Sequence, residues 1–466
     1  MSGVFRYAKG IGSSLALAAL AFGIQYGQSW LFRSVENPHP PGHHVVMDKF
    51  GRAGHSLSPQ RRTAAPDKVH WKIAVVTNRL VATSSVVHQI SSVSHESRTL
   101  AGQAMDLLYA TPQTTFSFAD VRVPVVRRRG QCECRDDPAK SVVVEQLVTQ
   151  AESEFFGDLE QLIRQAQAKD VFIFVHGFNV SLEQAVTRAA QMSEDMPFHG
   201  ITVAFSWQSM ARTEAYLADE VLAERYFWNL AELLAQLNRR FGDSVRLHVL
   251  AHSMGNRVTL RALNALAGSI DPTGRETDEI GMARLLRTLS GDAEADSADH
   301  VLPERNRPIF SDGVQSVLSL NPAEIRQRFP DWGTWHADRT TRPQLQTLVL
   351  AAPDVDAHEF TGFVRDIRHV SRTMVLYASD TDVALQASRR VHGGTWRAGD
   401  SRARLDIEGL RTVRVSGVDT LDPLGHSYYG SHPTVLTQLS ELLRPPIDSS
   451  APISVLAQQG DSLGRN

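Results

Sequence analysis

Val245-Arg-Leu-His-Val-Leu-Ala-His-Ser-Met-Gly255 is the stretch from which the fold follows. Val245–Leu250 has the apolar, β-branched character of a strand buried in a sheet. Asn256–Leu266 follows with Val258, Ala262, Ala265 and Leu266 at helix-like spacing. Between strand and helix, Ala251-His-Ser-Met-Gly255 leaves room only for a sharp turn with Ser253 at its tip. Such a turn requires small residues two before and two after the serine, because a larger side chain would strike the neighbouring strand or helix. Gly255 meets this fully, and Ala251 exceeds it by one methyl. The pattern predicts a strained backbone at Ser253 and a hydroxyl held at the helix amino terminus. A serine hydroxyl is a poor nucleophile at neutral pH without a base, and the oxyanion it generates needs preorganised donors. Both are sought elsewhere in the chain.

Upstream, Val171-Phe-Ile-Phe-Val175 is a continuous apolar run, as expected of a strand buried on both faces. It runs into His176-Gly-Phe-Asn179, whose loop would supply the backbone N–H of Phe178 to an oxyanion hole completed by the N–H of Met254. Further strands are expected at Trp71–Arg79, Thr115–Val126, Ile201–Trp207, Thr347–Ala351, Thr373–Ala378 and Leu410–Ser416. Helices are expected at Glu145–Ala168, after a Ser181 cap, and at Pro433–Leu443. Ala223, Phe227, Leu230, Leu234, Leu237 and Phe241 recur at helical intervals and predict one long amphipathic helix. Strands alternating with helices define an α/β class: a mostly parallel central sheet, helices on both faces, and a long insertion after the nucleophile helix.

The base and acid should follow the serine in the order Asp or Glu, then His. His426 lies after the last expected strand and before the helix Pro433–Leu443; His432, suited to capping that helix, is its rival. For the acid, Asp382 is preferred in the loop after Thr373–Ala378, with Asp380 its neighbour. Asp354 and Asp356, at the end of an earlier strand, offer a variant arrangement. His176, Trp207 and Tyr216 are candidates to line a substrate pocket, although a tight turn is the plain alternative for His176-Gly177 and ordinary core packing is at least an equal reading of Trp207.

These residues extend into a recognisable pattern. Thr77-Asn-Arg79, Val175-His-Gly-Phe-Asn-Val180, Phe205-Ser-Trp207, Tyr216-Leu-Ala-Asp-Glu220 and Ala251-His-Ser-Met-Gly-Asn-Arg257 together resemble a bacterial α/β-hydrolase family catalogued as a domain of unknown function, number nine hundred in its series. Ala352-Pro-Asp-Val-Asp356 and Gly425-His-Ser-Tyr-Tyr429 look like further parts of it. The resemblance runs from about Trp71 to Leu443 and leaves out much of 266–343. It implies an α/β-hydrolase fold and hydrolase chemistry, with the substrate open.

The chain has 466 residues, 42% hydrophobic and 21% charged, which is ordinary globular composition. With 48 basic and 51 acidic residues it carries a formal charge of −3, which argues against a nucleic-acid surface. Cys132 and Cys134 allow a tight local bridge or free thiols; without nearby histidines they make no zinc site. No metal-ligand cluster or dinucleotide fingerprint stands out, so no cofactor is expected. Residues 1–33 carry Arg6 and Lys9 ahead of an apolar run from Ile11 to Ile24, the form of an export signal or, if it extends through Trp30 and Phe32, a membrane anchor. Residues 34–70 read as a linker. The expected domain spans 71–445, with 266–343 a lid or disordered insertion, and 446–466 is a tail. The sequence thus predicts an exported serine hydrolase, periplasmic or held at the inner membrane by its amino-terminal segment. Its substrate would be a small-molecule or lipid ester. A catalytically silent hydrolase-fold binding module is the alternative.

Overall fold

The computed structural model describes residues 62–63, 68–79, 113–134, 136–269, 344–416, 422 and 424–444. The expected signal or anchor (1–33), most of the linker, the insertion beyond residue 269 and the tail lie outside them. Among the described residues no helix is long and apolar enough to cross a membrane. The strands are β1 (Arg62–Thr63), β2 (Lys68–Thr77), β3 (Thr115–Pro124), β4 (Val143–Gln150), β5 (Asp170–Val175), β6 (Ile201–Ser206), β7 (Arg246–His252), β8 (Leu345–Ala351), β9 (Ser371–Ser379) and β10 (Leu410–Val415). The helices are α1 (Glu152–Ala166), α2 (Leu182–Asp195), α3 (Tyr216–Arg225), α4 (Phe227–Phe241), α5 (Gly255–Leu266), α6 (Ala357–Asp366), α7 (Val383–Val391), α8 (Tyr428–Ser431) and α9 (Pro433–Leu443).

All ten strands join one sheet, ordered β10-β9-β8-β7-β5-β6-β2-β3-β4, with β1 paired to β2. From β10 to β2 every pairing is parallel; β3, β4 and β1 are added antiparallel. Side chains alternate between faces along a strand, and β5 shows how this divides the core. Val171, Ile173 and Val175 enter a cluster with Phe155 and Leu159 of α1, Leu230 and Leu234 of α4, and Val258 and Ala262 of α5. Phe172 and Phe174 enter a second cluster, under Val186 and Ala189 of α2 and Leu436 and Leu439 of α9. A strand covered on both faces must be apolar throughout, which is why β5 reads as an unbroken run.

The chain leaves β5 for β6 on one side and returns to β7 on the other. Strand order therefore reverses between β5 and β7, and the carboxyl ends of these two strands flank the crevice in which open α/β sheets place their ligand sites. The loops after β5, β6, β7, β8 and β9 all emerge at that edge.

Two expected elements come out differently. Residues 145–150 are strand, not helix. Val143–Gln150 pairs antiparallel with β3 at the sheet edge, and α1 begins only at Glu152. Val143, Val144, Val148 and Thr149 favour the extended chain, and Glu145 reaches across to Arg122 and His70 at 3.2 and 3.1 Å. The long helix expected from Ala223 to Phe241 is two helices, broken at Tyr226 where φ is −100° and ψ 17°. Helix α2 begins as expected, with Ser181 and Gln184 forming a reciprocal capping box. Strand β2 starts at Lys68, three residues ahead of the Trp71 run. Cys132 and Cys134 are both free thiols.

Beside the antiparallel end, Phe116 and Phe118 of β3 pack on Phe155 and Phe156 of α1, with ring centroids 5.0–5.6 Å apart. Phe155 is fully buried. Phe155→Ala should therefore lower the unfolding free energy by about 3–5 kcal/mol in urea denaturation. A loss below about 1 kcal/mol would show that this end of the sheet does not belong to the cooperative core.

Candidate functional site

Strand β7 ends at His252 and α5 starts at Gly255, so two residues make the turn. Ser253 has φ +52°, in the left-handed region, a conformation that costs a non-glycine residue of the order of 1–3 kcal/mol. Backbone bonds hold it there. The Ser253 N–H donates to the Ala351 carbonyl at 2.9 Å, and its own carbonyl accepts from the N–H of Asn256 at 3.1 Å and the Asn256 Nδ2 at 2.9 Å. Two glycines make the close approach feasible. A Cβ on Gly255 would lie 2.3 Å from the His176 carbonyl oxygen, and one on Gly177 would lie 2.9 Å from the Ser253 Cβ and 2.8 Å from the His252 Nδ1. The loop after β5 is thus pressed against the turn after β7, with Phe178 directly following Gly177 and Met254 directly following Ser253.

The structure brings His426 and Asp382 together: His426 Nδ1 lies 2.7 Å from Asp382 Oδ2. Asp382 is fully buried, and its other oxygen accepts the N–H of Leu385, capping α7. The two loops are also stitched by their backbones, Val383 N–H to Leu424 carbonyl at 3.0 Å. His426 lies beside the turn that carries Ser253. Its carbonyl is 3.1 Å from His252 Nε2, and the two rings are 4.6 Å apart. Burial opposes the charged imidazole, but Asp382, with Asp422 and Asp354 adding to it, holds the His426 pKa above the ordinary 6.5. For His252, burial first and the neighbouring His426 second keep the ring neutral.

The rivals take other positions. Asp380 is exposed. Asp356 caps α6 through the N–H groups of His358 and Glu359. His432 precedes Pro433 in extended conformation at the start of α9. Asp354 is buried and bound to Arg397 Nε at 2.8 Å, to the Tyr216 hydroxyl at 2.6 Å and to the Ser388 hydroxyl. Burial alone would raise its pKa; Arg397, His392 and Arg257 hold it at about 2.

Of the three residues expected at a pocket, only Tyr216 is part-exposed, its ring 5.2 Å from that of Phe178 and edge-on to it. His176 and Trp207 are corrected to buried supports beneath the loop. Their rings stack 5.2 Å apart, and Trp207 Nε1 donates to the His176 carbonyl at 2.7 Å. Burial and Arg79 push the His176 pKa down to about 3, so it is a neutral ring. Arg79, whose pKa burial lowers to about 10 against Asp219, spreads its guanidinium over the Ser206 hydroxyl and the carbonyls of Ser209 and Val180. It ties β2 to the loops after β5 and β6.

Sequence reasoning missed four positions that organise the site. Asp422 accepts the N–H groups of Leu424, His426 and Ser427 at 3.0, 2.9 and 2.7 Å and fixes the loop that carries His426. The run Asp422-Pro-Leu-Gly425 is a turn signature that could have found it. His252 was hidden in plain view, adjacent to Ser253. Arg257 closes the Ala251–Arg257 run but carried no role of its own, and Arg397 gave no signal at all. Arg257 is buried between Glu220 and Glu224, each at 2.7 Å, and its Nε reaches the Asp354 carbonyl at 3.1 Å. Among the described residues no cluster of His, Cys, Asp and Glu could hold a metal ion.

A family model described as an alpha/beta hydrolase of unknown function (DUF900) matches residues 151–298 and 317–443. No curated protein and no solved structure matches the chain.

Breaking a buried ion pair by removing one partner leaves an uncompensated charge and is strongly destabilising. Arg397→Met should therefore cost about 3–5 kcal/mol in chemical denaturation at pH 7. Arg411→Met, at an exposed arginine, should stay within about 0.5 kcal/mol. Equal losses would show that the Asp354–Arg397 pair does not hold the β8 loop.

Proposed function

Because the chain belongs to this α/β-hydrolase family, we propose that it is a serine hydrolase cleaving carboxylic esters, small or lipid, through an acyl-enzyme. The observation that carries this is the placement of the Asp382–His426 pair against the strained turn at Ser253. In this mechanism Asp382 occupies Nδ1 of His426, which leaves Nε2 to take the Ser253 proton as Oγ attacks the ester carbonyl. The carbonyl oxygen becomes an oxyanion and is met by the N–H groups of Phe178 and Met254, fixed by the backbone before the reaction begins. His426 then returns the proton to the leaving alcohol. Water, deprotonated by the same imidazole, attacks the acyl-serine, and the second tetrahedral intermediate collapses to release the acid and restore Ser253. Phe178 and Tyr216 supply an aromatic wall to the acyl or alcohol side.

Ser253→Ala should abolish turnover of p-nitrophenyl esters, by about 10⁶-fold in kcat, with the fold retained by circular dichroism. Asp382→Asn should cost about 10⁴-fold, while Asp380→Asn, at an exposed position, should change little. Hydrolysis surviving in Ser253→Ala, or the reverse order for the two aspartates, overturns the assignment.

The base must be neutral to accept a proton. A His426 pKa raised above 6.5 means that kcat/KM is lost as pH falls through that raised value, not through a lower one. The acid limb of the pH–rate profile should accordingly lie above about 6.5; a limb well below it would exclude His426 as the base.

A further inference from the structure

His252 is buried, and its ring is held on three sides. It stacks on Tyr429, with centroids 4.2 Å apart and planes 29° from parallel, and sits 4.6 Å from the His426 ring. On the Nδ1 side lies Gly177, where even a Cβ would come within 2.8 Å. Its one polar contact toward the base is Nε2 to the His426 carbonyl at 3.1 Å. A carbonyl oxygen can only accept, so the proton of the neutral imidazole is on Nε2. His252 therefore donates to the backbone of His426 while being bonded through its own peptide to Ser253. On the other side of the same residue, the His426 N–H donates to Asp422. Both peptide groups of His426 are thus bound, one of them by the residue next to Ser253.

We propose that His252 is a positioning residue, whose Nε2–H fixes the backbone of His426 relative to Ser253 and so sets the nucleophile–base geometry. This rests on the assignment of Ser253 and His426 above. The reacting groups must meet at about 2.6–3.2 Å, and a displacement of about 1 Å can cost about 10²-fold. Position along the serine–imidazole direction is left free by the Asp382 contact alone, because that contact is made at one ring atom and allows the ring to swing about it.

Three substitutions separate the donor from the ring. His252→Phe keeps the stacking on Tyr429 and removes the donor. His252→Gln places an amide N–H near the Nε2 position, and His252→Asn carries the same amide too short to reach. With p-nitrophenyl butyrate, His252→Phe and His252→Asn should lose about 10²-fold in kcat with KM within about twofold, and His252→Gln should recover most of the loss. The rate of covalent labelling by a fluorophosphonate probe should follow the same order, since it reports the reactivity of Ser253 without the ester. Should His252→Phe fail to fold by circular dichroism, the Gln and Asn variants decide between themselves. Equal rates in those two, a loss carried by KM, or wild-type kcat in His252→Phe overturns the proposal. Wild-type protein that takes no label, with Ser253→Ala still hydrolysing the ester, overturns the assignment beneath it instead.

Discussion

The approach of two strand ends governs this molecule. Strands β5 and β7 are hydrogen-bonded neighbours, and the turns that leave them pack so closely that a Cβ at Gly177 or Gly255 would overlap its neighbour. That contact accompanies the left-handed backbone of Ser253, whose φ is +52°. The sheet makes the approach possible: β5 and β7 are its central strands, packed by apolar side chains on both faces. Strain at one residue persists only where the surroundings over-determine it. Here the surroundings are the carbonyl of Ala351, the side chain of Asn256 and the β5 loop, itself pinned by Arg79 and by Trp207.

Electrostatics builds the second layer. Behind the turn, Glu220, Arg257, Asp354 and Arg397 lie buried with one another as partners, and Tyr216, Ser388 and His392 complete the set. Charges this far from water are tolerated only when each is paired and hydrogen-bonded, so α3, α5, α7 and the β8 loop are constrained to one relative arrangement. Apolar contacts alone would tolerate some sliding. An unpaired charge would not.

What the sequence disclosed, and what it withheld, divides along chain distance. Ser253 was legible because strand, turn and helix are contiguous there, and the small residues required by the turn lie within the same five positions. His426 and Asp382 were legible as residues in loops after strands. Their pairing, across 44 residues, was expected from the order of acid and base along the chain, but Asp380, Asp354 and Asp356 stayed open as alternatives until the fold brought Asp382 to Nδ1. The sheet was read correctly in class but not at its edge, where the Glu and Gln of Val143–Gln150 suggested a helix and pairing with β3 decided for strand. His176 and Trp207, candidates for the pocket, lie buried in the layer below the loop. A buried arginine such as Arg397 carries no local mark of its burial; only its partners, 43 residues away at Asp354, supply one.

Helix α7 joins two of these groups mechanically. Its amino-terminal cap is Asp382, and Ser388, about 9 Å further along at 1.5 Å per residue, holds Asp354 and thereby Tyr216. A helix of this length is stiff, so it behaves as a strut between the carboxylate bound to the His426 imidazole and the hydroxyl of Tyr216. The two ends cannot be tuned independently. Moving the chain around Tyr216 displaces the strut and swings the Asp382 carboxylate with it. Under the proposed mechanism a change beside Tyr216 is thus felt at the base, and variants there must restore the tilt of α7 elsewhere to keep the Asp382–His426 contact.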